Sequence, residues 1–238
     1  MSPGVGSVRG STCFEKFQRS ETLGYDAFTG DDFAFPANIT SRIAKWHDVT
    51  SDPRTYGFHG TQKAPFALAN GKDEAELRAA CAAFCTRPRE IARIELIVAS
   101  ISGFIALIPA QKSSALVQLA NEVVEALDMF RAPLSPDDRA RRNPSRLTKR
   151  QIAYLDRWGY PYVMDEFRFH MTLTGRLESQ QANAIQSMLT QRFSETYIAA
   201  IAIDRIALFR QNTPKERFRI IKNYPLTEVD RRHTLTSR

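Results

Sequence analysis

Histidine is the side chain that exchanges protons near neutral pH, and this 238-residue chain has four: His47, His59, His170 and His233. Two of them share one setting, Phe58-His59-Gly60-Thr61 and Phe169-His170-Met171-Thr172. On a strand, residues i and i+2 point to the same face. Each histidine then shares a face with its threonine, while the flanking phenylalanines turn into the core. Two such strands side by side about a pseudo-twofold axis bring two imidazoles and two hydroxyls to one spot. That set suits phosphodiester chemistry. A neutral imidazole removes a proton from water and a protonated one donates to the departing alkoxide. The hydroxyls of Thr61 and Thr172 bond the non-bridging phosphate oxygens, and a nearby cation stabilises the charge growing there. Lys63, four residues after His59, shares that face by the same count and is the expected cation.

The bare motif is weak, since chance places Ser or Thr two residues after two of four histidines in roughly one case in ten. The alternative is a pair of structural histidines that cap or cross-link strands. What strengthens the catalytic reading is the matched phenylalanine and the similar run of elements after each copy. Metal binding fits poorly, because each motif offers one nitrogen and no carboxylate at a fixed offset. His47 sits in the helical-looking stretch 39–48 with Val49 at i+2, and His233 lies in the tail, so neither is a third copy. Gly71-Lys72 lacks the preceding glycine of a phosphate-binding loop and reads as a turn.

The elements that must position the motifs can be read from periodicity. Glu74 to Arg87 places Leu77, Ala80, Cys81, Phe84 and Cys85 on one stripe, which predicts an amphipathic helix. Two β-branched runs, 94–101 and 104–110, flank Ser102-Gly103 and predict a hairpin. Ser114 to Phe130 is helical by its spacing of Leu116, Leu119, Val123 and Leu127. Residues 131–146 hold Pro133, Pro136 and Pro144 with Arg139, Arg141 and Arg142, a basic and irregular connection. Thr148-Lys-Arg-Gln151 has capping-box spacing and opens a helix that stops at Gly159. Phe167–Thr174 alternates like a strand, Ser179–Phe193 reads as a helix, and Tyr197–Arg210 and Arg217–Tyr224 read as strands. Each half is therefore strand, helix, strand, strand. The expected fold is α+β, a degenerate duplication of two pseudo-symmetric lobes whose antiparallel sheets, flanked by helices, face one another across a cleft. Lobe one spans roughly 23–130, the connection 131–147, lobe two 148–226 and a frayed tail 227–238.

Composition is that of a globular chain, 43% hydrophobic and 25% charged, which excludes collagen-like, coiled-coil and wholly disordered classes. A net charge of +7 favours an anionic partner such as a phosphate ester, nucleic acid or lipid headgroup. No apolar stretch follows a basic start, so a secretory signal is not expected. The longest apolar region, Leu96–Ala110, is broken by Ser100, Ser102 and Gly103 and falls short of the roughly 20 residues of a membrane span. Cytoplasmic location follows as the expectation. Cys13, Cys81 and Cys85 cannot pair off completely. Cys81 and Cys85 read as buried structural thiols, with no second Cys/His pair nearby for zinc.

The paired His-x-Thr motifs resemble the 2H phosphoesterase superfamily, whose members hydrolyse or form cyclic phosphodiesters and 2′–5′ linkages without metal. Longer stretches resemble its DUF1045 branch, the phosphonate metabolism proteins found beside carbon–phosphorus lyase genes in bacteria. These are Arg54-Thr-Tyr-Gly-Phe-His-Gly-Thr-Gln-Lys-Ala-Pro-Phe66, Leu147-Thr-Lys-Arg-Gln151, Leu155-x-x-Trp-Gly-Tyr-Pro-Tyr162 and Phe167-Arg-Phe-His-Met-Thr-Leu-Thr-Gly175. The resemblance runs from about Leu23 to Tyr224. It implies that His59 and His170 are catalytic, with His170 activating water, that Thr61 and Thr172 bind phosphate, and that no cofactor or metal is needed. Tyr56, as a flank of the substrate sugar, and Arg168, on the face of His170, are further candidates. Two departures stand out. The chain begins Met1-Ser-Pro-Gly-Val-Gly where the family has a hydrophobic strand, so either the start is truncated or that strand is expected to be missing. Gln62 stands where the family has Leu, with an effect expected on packing alone.

The expected activity is hydrolysis of a small sugar or nucleotide cyclic phosphate, with a phosphoribosyl cyclic phosphate suggested by the phosphonate connection. The alternatives are processing of RNA ends that carry 2′,3′-cyclic phosphates, or a non-catalytic binder of nucleotides or RNA. The arginines between 139 and 150 have no interleaved aromatics, so a base-stacking surface is not expected. A monomer with a small phosphorylated ligand and no membrane contact is the expected state.

Overall fold

The computed structural model describes residues 2–6, 21–195 and 200–229. Cys13, His233, the start of the expected strand at Tyr197 and most of the tail lie outside the described residues. The strands are β1 (Ser2–Gly6), β2 (Thr61–Lys63), β3 (Arg93–Ile94), β4 (Leu96–Ile101), β5 (Phe104–Pro109), β6 (Met171–Thr172), β7 (Ile201–Ala202), β8 (Arg205–Gln211) and β9 (Arg219–Pro225). The principal helices are α1 (Glu74–Cys85), α2 (Ser114–Leu127), α3 (Pro136–Arg141), α4 (Lys149–Trp158) and α5 (Ser179–Glu195). The stretch 39–48 is not one helix. Short helical turns at Ala37–Thr40 and Trp46–Val49 interrupt it, and His47 is exposed.

The local signals act as written. Ser102 and Gly103 both have positive φ, 48° and 93°, the turn whose twist matches a two-stranded ribbon, and β4 and β5 pair antiparallel across it. Thr148 and Gln151 satisfy each other's backbone N–H at the start of α4, and Gly159 ends it with φ 74°, the left-handed cap that glycine adopts most readily. The apolar stripe of α1 is buried as Leu77, Cys81, Phe84 and Cys85. Burial pushes the Cys81 thiol up to about 12 and that of Cys85 to about 11, so both act as inert core side chains.

The architecture is α+β, with antiparallel sheets flanked by helices, and the sheets draw on both sides of the connection near residues 131–147. The two larger have the orders β2-β1-β8-β9 and β4-β5-β6, and β3 and β7 form a two-stranded third. The hairpin β4–β5 of the first half thus takes β6 from the second, and the hairpin β8–β9 of the second shares its sheet with β2 from the first. Helices follow the same exchange. α1 packs on β8 and β9 and α2 on β2, while α5 packs on β4 and β5. The two halves are not separate strand–helix–strand–strand units on their own sheets; each lends its motif strand and helix to the hairpin of the other. One continuous apolar core holds both, including Leu107, Met171, Ile206 and Leu208.

The expectation of a missing first strand is corrected. Ser2–Gly6 pairs antiparallel with both β2 and β8. Its sequence is a poor strand former, but the gap between two unpaired edges selects extended backbone there. Pairing to β2 begins only at Val5, so Pro3, which has no N–H to donate, has a strand neighbour on one side only. Among the described residues no helix is long and apolar enough to cross a membrane.

Candidate active site

The two sheets meet where the motifs are. Gly60 and Met171, the middle residues of the two His-x-Thr triplets, form an antiparallel bridge. That register sets His59 across from Thr172 and Thr61 across from His170, so the four polar side chains share one face about a local pseudo-twofold axis. The opposite face is core: Phe58, Phe169 and Met171 are buried. Glycine is required at the crossing. A Cβ on Gly60 would lie 2.5 Å from Phe169 Cζ. We therefore expect Gly60→Ala to separate the strands, lowering stability by about 1–3 kcal/mol and activity more than stability alone explains. Thermal melts and turnover assays check this, and a variant of wild-type stability and activity would contradict it.

The histidines are held alike. His59 Nδ1 lies 3.0 Å from the Gly57 carbonyl and His170 Nδ1 lies 2.8 Å from that of Arg168. A carbonyl only accepts, so each Nδ1 carries the proton and each Nε2 is left for chemistry. Each ring also packs near a phenylalanine from the hairpin of its sheet, Phe209 at 5.3 Å from His59 and Phe104 at 5.7 Å from His170. Thr61 Oγ1 lies 3.0 Å from His59 Nε2 and, with that nitrogen unprotonated, donates to it. The surroundings differ in one respect. His59 is half-buried, and burial, aided by the charge of His170 and opposed by the bond to Gly57, holds its pKa below the ordinary histidine value.

A stability prediction follows from this depression. Above the ordinary histidine pKa of about 6.5 both folded and unfolded forms are neutral at this position and the contribution is complete. As pH falls toward the depressed folded value, the unfolded chain binds the proton first and stability is lost. Between pH 7.5 and 5, the melting temperature of the native protein should therefore fall more than that of His59→Gln. Parallel curves would remove the burial account.

Of the other candidates, Tyr56 is brought to the site, its ring 5.9 Å from His59 and stacked at 5.0 Å on Phe218. A turn at Gly57, φ 73°, places it there. Arg168 is exposed; its carbonyl orients His170. Thr172 is half-buried on β6, paired with Ala106.

Lys63 is not at the site, which corrects the expectation for it. Between Thr61 and Lys63 the pairing with β1 slips by one residue, a bulge at Gln62 that breaks the period of two. Lys63 is 3% exposed and its Nζ donates to Asp128 Oδ1 and the Val124 carbonyl, each at 3.1 Å. Gln62 is also buried, and its Oε1 has no hydrogen-bond partner among the described residues, so its effect is on packing and polar satisfaction. Sequence reasoning missed Phe104 and Phe209, which come from hairpins remote in sequence from the histidines they pack near. A separate cavity of about 610 Å³, lined by Glu90, Arg93, Glu95, Lys112 and Glu228 among others, holds none of the motif residues.

The family model described as "Protein of unknown function (DUF1045)" matches residues 61–219. A ribose 1,5-bisphosphate phosphokinase PhnN from Janthinobacterium sp. (strain Marseille) is 37% identical over 174 residues, covering 71% of this chain and 38% of that protein. Its namesake from Laribacter hongkongensis is 35% identical over 161 residues, 67% of this chain and 36% of that one. The chain thus spans less than two fifths of the length of these curated relatives. Among solved structures, E. coli LigT complexed with NADP+ aligns at a TM-score of 0.42 and 13% identity over 95% of this chain and 98% of that one. A protein of Thermus thermophilus aligns at 0.46 and 9% over 97% and 100%. These structural likenesses are too distant to argue from. The family match is not, since it covers about two thirds of the chain and takes in Thr61 and the whole of the second motif, and the chain belongs to the DUF1045 family.

Proposed function

We propose that this protein is a metal-independent, two-histidine phosphoesterase that hydrolyses a small cyclic phosphodiester, a sugar or nucleotide cyclic phosphate, in phosphonate utilisation. The bridge between Gly60 and Met171 carries the reading, because it gathers His59, Thr61, His170 and Thr172 on one face. With substrate bound, the hydroxyls of Thr61 and Thr172 turn to the non-bridging oxygens, which frees His59 Nε2. His59 takes a proton from water as the water oxygen bonds to phosphorus. The bond from phosphorus to one ester oxygen breaks, and His170 gives its Nε2 proton to that alkoxide. The product is a ring-opened monoester, and proton exchange with solvent resets the pair. The resemblance implied the reverse assignment. The depressed pKa of His59 supports it as the neutral base, and the more accessible His170 as the donor.

The relatives' name, a ribose 1,5-bisphosphate phosphokinase, supports a ribosyl phosphate as the substrate class. It does not support kinase chemistry in this chain. At Gly71-Lys72, the lysine pairs with Glu76 at 3.4 Å, and no glycine-rich loop precedes it. Cytoplasmic location is part of the same proposal.

The test is a panel of cyclic phosphates of increasing size, from ribosyl and nucleoside cyclic phosphates to RNA ends, assayed with and without chelator. Turnover of the small members that survives chelator is expected. Turnover of RNA ends alone would establish the RNA-processing alternative, and activity abolished by chelator and restored by a divalent metal would overturn the metal-independent mechanism.

A further inference from the structure

Four residues after each histidine stands a buried polar side chain, Lys63 at 3% exposure and Thr174 at 0%. Each follows closely on a motif threonine in a short strand, since β2 has three residues and β6 two. Few ladder bonds therefore hold those threonines in register. Both segments also bulge directly after the threonine. In β2 the residues from Thr61 to Lys63 stand opposite Gly6 and Val5, with Gln62 the extra one. After β6 the N–H groups of Leu173 and Thr174 both donate to the Ile105 carbonyl, at 2.9 and 3.2 Å, so two residues again face one.

In each case the buried side chain closes the bulge. An antiparallel pair that exchanges both bonds would return the Ile105 N–H to the Leu173 carbonyl. It goes to Thr174 Oγ1 instead, at 3.0 Å, and that hydroxyl donates to the Gly175 carbonyl at 2.8 Å. Ile105 is itself buried, so removing the hydroxyl takes this acceptor from its N–H where water does not reach. Lys63 plays the corresponding part behind β2, where its Nζ ties the strand to the Val124 carbonyl of α2 and to Asp128. Bulges re-aim side chains, and here the adjoining residues are Thr61 and Thr172, whose hydroxyls share the face of the imidazoles.

We propose that Lys63 and Thr174 are a matched pair of positioning residues. Each locks the bulge behind its motif threonine and so sets where the hydroxyls of Thr61 and Thr172 meet the phosphate. Neither touches the substrate. This rests on His59 and His170 being the reacting pair, with the two threonine hydroxyls as donors to the phosphate.

The test is a double-variant cycle, read at a temperature where every variant is folded. Thr174→Val keeps the shape of the side chain and removes the hydroxyl. It should lower turnover of adenosine 2′,3′-cyclic phosphate by about 10-fold to 100-fold, the cost of a small misplacement. Thr174→Ser should stay within about threefold of the native rate, because the hydroxyl is kept. In a Thr172→Val background, adding Thr174→Val should cost less than about twofold more, since its effect passes through Thr172. Lys63→Met, which leaves Asp128 its two arginines, should behave in the same way against Thr61→Val, and it decides the proposal if Thr174→Val does not fold. Losses that multiply in either cycle, or native turnover in Thr174→Val or Lys63→Met, overturn the proposal for that residue. Absence of turnover by the native protein removes the catalytic reading, and the same cycles are then read on binding of adenosine 2′-phosphate by calorimetry. There, a loss seen only where the motif threonine is present supports the positioning role, an equal loss in both backgrounds overturns it, and a native protein that binds no monoester overturns both readings.

Discussion

Replacing His59 or His170 by alanine is expected to lower hydrolysis of a cyclic phosphate by about a thousandfold or more, within the range that positioned acids and bases contribute. The double variant should be little worse than either alone, because groups that act as a unit lose most of their effect together. The two changes should nonetheless differ on an activated ester. If His59 is the base and His170 the acid, a substrate with a good leaving group needs no proton on departure. His170→Ala should then recover most of its loss on that substrate, and His59→Ala should not. Neither variant should lower the stability read by chemical denaturation by more than about 1 kcal/mol, since both rings lie at the cleft rather than in the core. Retained activity in either variant would place the chemistry elsewhere, and recovery by His59→Ala instead of His170→Ala would reverse the roles.

The largest effect on stability is expected at Asp128. Its carboxylate accepts from Lys63 at 3.1 Å, from Arg131 at 2.8 and 3.1 Å, and from Arg157 at 3.4 Å. Burial alone would raise its pKa, but the bond from Arg131 and the charge of Lys63 outweigh that and hold it low. Lys63 is pushed the other way, its pKa lowered by burial and supported by Asp128. Removing the carboxylate leaves a buried ammonium with one carbonyl and two arginines around an empty place. Asp128→Leu should therefore destabilise by about 3–5 kcal/mol, read by chemical denaturation. Adding Lys63→Met should recover most of this, because an apolar pair can replace a buried ion pair. The same network ties down the end of α4, where Arg131 bonds the Arg157 carbonyl at 3.0 Å and its side chain fills the space beside Gly159. A single variant as stable as the native protein, or a double variant no better than the single, would contradict this.

How far the sequence reaches can be seen in particular residues. The caps at Thr148 and Gly159, the Ser102-Gly103 turn and the stripe of α1 are local, and local chemistry is written in neighbouring residues. The pairing of the two motifs was legible because a repeat implies symmetry. What the repeat concealed is the exchange between halves, since pairing partners far apart in sequence leave no periodic trace. Lys63 was misplaced for a similar reason. Counting by twos holds along a regular strand, and the bulge at Gln62 is imposed by the partner strand β1. That strand was itself unexpected in Ser-Pro-Gly-Val-Gly, where its neighbours override weak propensity. Phe104 and Phe209, from two separate hairpins, reach the histidines only through the sheets' registers.

The central claim is that one phosphate meets both imidazoles, and it can be tested by observing the ring nitrogens directly. Titration of 15N-histidine-labelled protein with the monoester product should shift the Nε2 resonances of His59 and His170 together, with one stoichiometry and one dissociation constant, while His47 stays in place. A shift confined to one of the two, or two shifts with different dissociation constants, would contradict a shared site.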